Sequence, residues 1–323
     1  MDREVFMSFL VAVVNATAEN YEQLAEFGSE EQLQSLDLYE LAMDITRPAG
    51  HRVKVTTYDP KVKIELEPIM LEKGLCYTFN TALPSVFRNN VRKETKLRKP
   101  LACRYGKQEC SLKVEAFDTS ISLDIHSPYE FSDVYSHEIE MDRADEVSST
   151  YKIMETVTSE TLRDLSPHQR KCLYPDEDYP AFSKSICYMK CRGKMAMDMC
   201  NCIPHFYPFL DGPKCSPSGY ECLLDFKWPG WSLSLCNCTR TCVELKYTVH
   251  NIIKRNWDAG SNITFATKAS FNLEIMPPKV RNRISVVFSF EDLLAMLQCL
   301  QYAASSININ LINKNINTIH AWV

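Results

Sequence analysis

The chain has 323 residues, with 36 basic and 41 acidic side chains and a formal net charge of −5. That length, at 45% hydrophobic and 11% aromatic, supplies material for one large core or two ordinary ones. The mild acidity argues against a nucleic-acid partner, and no apolar run reaches the roughly 18 residues that would suggest a membrane span.

The first apolar run, Val5 to Val14, admits a signal-peptide reading with Ala16-Thr17-Ala18 as the cleavage site. The acids of Met1-Asp2-Arg3-Glu4 suit no signal n-region, and the periodicity continues past the supposed site. Phe6, Leu10, Val13, Thr17, Tyr21 and Leu24 step by threes and fours, which predicts one helical face ended by Gly28. Ser29 and Gln32 then read as a capping box for a second helix with Leu33, Leu36 and Leu41 on its apolar side. From Val53 the rhythm shifts to strands: Val53 and Val55; Val62, Ile64 and Leu66; Gly74 to Asn80; Val114 and Ala116; Ile121, Leu123 and Ile125; Tyr151, Ile153 and Val157. Residues 88–100 are basic and turn-rich, an expected exposed loop. The class is α+β, a mixed β body with helices towards the ends. Enzyme and cofactor signatures are missing: there is no G-x-S-x-G, no H-E-x-x-H and no phosphate-binding glycine loop.

Ten of the fourteen cysteines fall between Cys172 and Cys242. Such density suits an oxidising compartment and a disulfide framework. Asp176, Glu177 and Asp178 before Pro180 read as a helix start, with a helix over about Ala181–Met199. Cys187 and Cys191 then lie about 6 Å apart along one helix face. Cys236 and Cys238, read as strand, lie about 6.6 Å apart along one strand face. The two spacings match as rungs. An antiparallel arrangement pairs Cys187 with Cys238 and Cys191 with Cys236, and places Cys172 with Cys242 as the outermost rung. Cys200, Cys202, Cys215 and Cys222 are left to pair among themselves. Zinc is the rival use of these thiols, but the one-residue gaps of Cys200-x-Cys202 and Cys236-x-Cys238 are too tight for a common knuckle.

Arg170-Lys-Cys172, Tyr188-Met-Lys-Cys191, Cys200-Asn-Cys202-Ile-Pro204-His-Phe-Tyr-Pro208, Cys236-Asn-Cys238-Thr-Arg-Thr-Cys242 and Lys246-Tyr247 resemble the degenerin/epithelial sodium channel family, in its insect pickpocket branch. Gly74-Leu-Cys76-Tyr-Thr-Phe-Asn80 is similar to one of that family's strands. Ile125-His-Ser127 is similar to another, and Val286–Met296 to the strand and linker before the second membrane helix. The resemblance covers about residues 5–296. It implies an amiloride-sensitive sodium channel subunit at the plasma membrane, trimeric with like or related subunits, its extracellular region shaped as a hand. Finger helices would occupy about 5–45, palm and finger strands about 51–165 and 243–296, and a disulfide-braced thumb 166–242. The pairing it implies is Cys172–Cys242, Cys187–Cys238, Cys191–Cys236, Cys200–Cys222 and Cys202–Cys215, with Cys103–Cys110 as a local pair. Cys76 would pair with a cysteine on a palm strand preceding Met1, so it stands unpaired here, as does Cys299. Residues 297–323, rich in Asn and Ile, read as a low-complexity tail outside the family. With neither pore helix present, the expectation is an extracellular region that conducts nothing alone. The alternative is a secreted disulfide-rich binding protein.

Further candidates are weaker. Asp176, Glu177 and Asp178 are a possible acidic sensor, since crowded carboxylates raise one another's pKa; Asp142, Asp145 and Glu146 are a second such group. His168 falls near the implied thumb–palm joint. Asn15, Asn237 and Asn262 head glycosylation sequons. Met189, Met195, Met197 and Met199 read as core filler, not metal ligands, and Trp228 and Trp231 as a packed turn.

Overall fold

A computed structural model describes residues 2–46, 52–57, 59, 61–82, 99–102, 110–117, 119–178, 182–230, 235–257, 268–276, 280–285 and 294. Asp2 caps α1 (Arg3–Asn15), its carboxylate accepting the Glu4 N–H at 3.4 Å. The single long helix expected through Leu24 is broken here. The Thr17 hydroxyl accepts the N–H groups of Glu19 and Asn20 at 3.2 and 2.9 Å, a local alternative to helical bonding. The Ala18 N–H instead reaches the Glu72 carbonyl at 2.7 Å. Helix resumes as α2 (Glu22–Ala25). The buried face of α1 is Phe9, Ala12 and Val13, one residue away from the expected Leu10. The run Val5–Val14 thus lies within α1, which packs one face against the core and leaves Met7 and Val11 exposed.

Gly28 takes no left-handed conformation. A Cβ there would meet only the movable end of the exposed Glu221 side chain at 2.4 Å and the Ala25 carbonyl at 3.1 Å. The Ser29–Gln32 capping box does not form either. A short 3₁₀ turn, Glu31–Leu33, follows Glu30 with no side-chain cap. The cap is Asp37, which accepts the N–H groups of Tyr39 and Glu40 at 2.9 and 3.1 Å and starts α3 (Leu38–Ile45).

The strands are β1 (Val53–Thr57), β2 (Glu67–Leu71), β3 (Gly74–Thr78), β4 (Ser111–Phe117), β5 (Ile121–Leu123), β6 (Ile139–Met141), β7 (Asp145–Thr158), β8 (Cys172–Leu173), β9 (Arg240–Thr241), β10 (Glu244–Asn256), β11 (Lys268–Ile275) and β12 (Val280–Ile284). A six-stranded sheet runs β1-β4-β11-β7-β10, with β12 also on β7. β11 and β12 follow one another along the same edge of β7, both parallel to it, while β10 runs antiparallel on the other edge. β2 and β3 form a separate antiparallel hairpin, as do β5 and β6. Val62, Ile64 and Leu66 keep the alternating half-buried pattern of a strand but belong to none; pairing starts at Glu67.

Along β7 burial alternates: Asp145, Val147, Ser149 and Tyr151 are buried, and Ser148 and Lys152 are exposed. One face of the sheet therefore carries a core of Val114, Ala116, Val147, Tyr151, Phe271 and Leu273, closed by Met141 of the β5–β6 hairpin. A larger core joins α1–α3 and the β2–β3 hairpin to the cysteine-rich helices. These are α4 (Pro167–Arg170), α5 (Lys184–Cys200) and α6 (Pro217–Asp225).

The helix expected from Ala181 begins at Lys184, because Ser183 is the cap, accepting the Ile186 N–H at 3.2 Å. It ends at Asn201 in the left-handed region. Asp176 and Glu177 start no long helix; they sit in a 3₁₀ turn, Pro175–Glu177. Cys236 and Cys238 lie outside any strand, with β9 starting at Arg240. The basic loop at 88–98, and Val286–Met296 apart from Leu294, lie outside the described residues.

Candidate functional site

The cysteine-rich segment is a helical unit cross-braced along its length. Cys187 and Cys191, one turn apart on α5, bond Cys238 and Cys236, with Cα–Cα distances of 5.9 Å in both cases. Cys172 bonds Cys242 at 5.0 Å, closing the base where β8 lies parallel to β9. Cys200–Cys222 ties the end of α5 to α6, and Cys202–Cys215 closes the intervening loop. Gly219 fits against that last bridge, since a Cβ would stand 2.8 Å from the Cys202 sulfur. The Met195 sulfur packs 4.0 Å from that of Cys191 and 3.9 Å from that of Cys236. Cys110 is disulfide-bonded; Cys103 and Cys299 lie outside the described residues. Cys76 is a free thiol, pushed up to about 12 mainly by burial. It lines a cavity of about 600 Å³ between the main sheet and the β2–β3 hairpin.

A buried polar network docks this unit onto the rest. The stripe Met189, Arg192, Gly193 and Ala196 faces the core, so a guanidinium sits where an apolar side chain is the rule. Arg192 Nε and Nη2 donate to the two oxygens of Glu72 at 2.6 and 2.7 Å, and both side chains are wholly buried. Glu72 also accepts from the Tyr207 hydroxyl and, at 3.1 Å, from the Val134 N–H. Asp133 flanks the guanidinium at 3.4 Å. Burial pushes the Glu72 carboxyl up, and the Arg192 charge with these hydrogen bonds opposes the rise. Trp228, in the turn after α6, donates its indole N–H to the Arg192 carbonyl at 3.1 Å. Tyr21, from the N-terminal helices, donates to the Trp228 carbonyl at 2.5 Å. Beneath them His205 is wholly buried, its Nδ1 2.6 Å from the Tyr220 hydroxyl, and burial pushes it down to about 3.

The base of the unit is a joint. Leu162, Cys172, Tyr174 and Cys242 form a small core with Leu165 and with Ile284 of β12. The Ser159 N–H donates to the Ile284 carbonyl at 2.9 Å, and the Tyr174 hydroxyl donates to Thr158 at 2.9 Å. Arg170 is buried here, donating to the carbonyls of Cys172 and Leu165 at 3.0 and 2.8 Å.

The three acids expected to crowd one another each face a cation instead. Asp176 pairs with Arg163 at 2.8 Å, Glu177 with Arg170, and Asp178 with Lys190 at 2.6 Å. The Arg163 hydrogen bond holds the Asp176 carboxyl below its usual range, opposite to mutual repulsion. In the second group, burial works against the Asp145 carboxylate, but hydrogen bonds from Lys254 and Asn256 leave it low. His168 is exposed on α4. Asn15 and Asn237 are exposed; Asn262 and Trp231 lie outside the described residues. Met189 is fully buried, Trp228 nearly so.

The positions that the sequence reading missed are Glu72, Arg192, Tyr207 and His205. The charge of Arg192 on the apolar stripe of α5, and of Glu72 directly after Ile69-Met70-Leu71, was the available signal. Among the described residues there is no cluster of metal-ligating side chains and no helix long and apolar enough to cross a membrane.

Residues 9–306 match the family profile described as "Amiloride-sensitive sodium channel", extending past the boundary expected at 296. Among curated proteins, Pickpocket protein 28 of Drosophila melanogaster is 23% identical over 230 residues, covering 65% of this chain and 37% of the relative. Sodium channel protein Nach of Drosophila virilis is 29% identical over 111 residues, covering 31% of this chain and 29% of the relative. The chain thus spans about a third of the length of the curated relatives it matches. With a family profile over most of its length, the chain belongs to the amiloride-sensitive sodium channel family, a family of ion channels and not of enzymes.

Proposed function

We propose that this chain is the extracellular region of a sodium-selective, amiloride-sensitive channel subunit of the plasma membrane, in an assembly of three like or related subunits. In this reading the six-stranded sheet is the palm, α1–α3 belong to the finger, and residues 166–242 are the thumb. The observation that carries the reading is the joint of Leu162, Cys172, Tyr174 and Cys242 against Ile284. It fastens a rigid, five-bridge unit to β12 and to the end of β7. Motion at the far end of the unit then reaches the strands as a lever motion, because bridges spread along it suppress internal bending. Cys76 awaits a cysteine on a strand from elsewhere in the subunit. The acids at 176–178 serve as ionic latches to Arg163, Arg170 and Lys190.

The test is long-read sequencing of the transcripts that carry this reading frame. In-frame segments of about 20 apolar residues on both sides support the channel subunit. Transcripts with natural start and stop codons bounding these residues, and no such segments, overturn it in favour of a secreted binding protein.

A further inference from the structure

The first of the three glycosylation sequons, Asn15-Ala16-Thr17, closes α1. Asn15 is the last residue of the helix and is exposed, whereas Ala16 is buried. Of the other two, Asn237 stands between Cys236 and Cys238, both bonded to α5, and Asn262 lies outside the described residues. The exposed face of α1 that Asn15 belongs to carries an apolar strip, where polar side chains are the rule. Counted back by fours from Asn15, its positions are Val11, Met7 and Arg3, all exposed. Met7 is 52% and Val11 54% exposed. A helical side chain leans towards the helix N-terminus and covers the turn before its own Cα. Asn15 therefore aims its amide over Val11, and Met7 lies about 6 Å further along the same face. A group attached to that amide nitrogen grows along the strip.

We propose that Asn15 carries an N-linked glycan whose first sugars lie over Val11 and Met7. Sugar rings present C–H faces as well as hydroxyls, so they shield two apolar side chains while keeping the outer surface wet; a glycan is bulky and solubilising. The donor is an oligosaccharide linked to a lipid pyrophosphate. The bond from the sugar's anomeric carbon to the phosphate oxygen breaks, and a bond from that carbon to Asn15 Nδ2 forms. One amide proton is lost, and the lipid pyrophosphate leaves. Transfer precedes folding. In the folded chain Ala16 is buried, and the Thr17 hydroxyl already accepts the N–H groups of Glu19 and Asn20, so a transferase has no free tripeptide to grip. The proposal rests on the extracellular reading above, since the donor belongs to the secretory pathway, and it adds what covers the outer face of α1.

Peptide mapping by mass spectrometry tests it, on the full chain secreted from cultured insect cells behind a foreign signal peptide. The expected result is a glycan on Asn15 in most molecules. Dilute hydrogen peroxide supplies a second readout, because it converts an accessible methionine to its sulfoxide. Met7 should oxidise several-fold more slowly in the glycosylated chain than in Asn15→Gln. Met154, 38% exposed on β7, should oxidise equally in both. If Asn15→Gln fails to fold, enzymatic removal of the glycan from the folded chain gives the same comparison. A bare Asn15 in a chain whose five bridges have formed overturns the proposal. So does an occupied Asn15 with equal Met7 oxidation in both chains, since the glycan then stands clear of the strip. Neither result touches the subunit reading, which stands or falls on the flanking membrane spans.

Discussion

Arg192 and Glu72 meet through two hydrogen bonds of 2.6 and 2.7 Å with both side chains fully buried. The first stands on the braced helix α5 and the second in the turn between β2 and β3, 120 residues away. Buried pairs of this kind contribute little over a well-packed apolar pair, but breaking one partner strands the other's charge. Arg192→Met should therefore cost about 3–5 kcal/mol. The double variant Arg192→Met, Glu72→Gln should recover part of that loss in denaturant unfolding. Additive single-variant effects would show that the two groups do not act as a pair.

His205 predicts a pH dependence. Its folded-state value is about 3, against an unfolded reference near 6.5. Above the unfolded value both states are neutral and nothing is lost. As the pH falls below about 6.5 the unfolded chain takes up a proton that the folded chain does not, at about 1.4 kcal/mol of stability per pH unit until the folded value is reached. His205→Gln should flatten the stability profile over that range, measured by thermal unfolding at successive pH values. An unchanged slope would assign the acid sensitivity to other groups.

The bridges should differ in worth. In the chain-entropy picture, opening Cys172–Cys242, with a sequence separation of 70, costs about 1.4 kcal/mol more than opening Cys202–Cys215, with a separation of 13. Paired Cys→Ser variants compared by denaturant midpoint check this. The reverse order would mean that contacts around Gly219 outweigh loop closure.

Cys76 should be a poor nucleophile in the folded chain. Burial, with the nearby acids Glu138 and Asp124, pushes its thiol up to about 12, so little thiolate exists at neutral pH. Maleimide labelling at pH 7 should be slow when folded and fast in denaturant. Rapid labelling of the native chain would place the thiol in solvent.

Much of the fold was legible because it follows local rules. The alternation Val53-x-Val55, Val114-x-Ala116 and Tyr151-x-Ile153 marks β1, β4 and β7. What failed were boundaries decided by side-chain competition. Thr17 captures the N–H groups that would have continued α1, and Asp37 and Ser183 cap helices where Ser29 and the acids at 176–178 had stronger sequence signals. The matching rises of the Cys187/Cys191 and Cys236/Cys238 pairs assumed a strand, yet the structure spans the same distance with an irregular segment. The network around Arg192 was invisible for another reason. Its members, Glu72, Asp133, Arg192 and Tyr207, are far apart in sequence, and only the packed core brings them together.

The most direct measurement is current from the full-length product of the transcript that carries these residues, expressed in oocytes alone and with pickpocket-type subunits. The account predicts an inward current carried by sodium, blocked by amiloride, and reduced when the Cys187 and Cys238 bridge is replaced by serines. A full-length product that reaches the cell surface and yields no such current in any combination would contradict it.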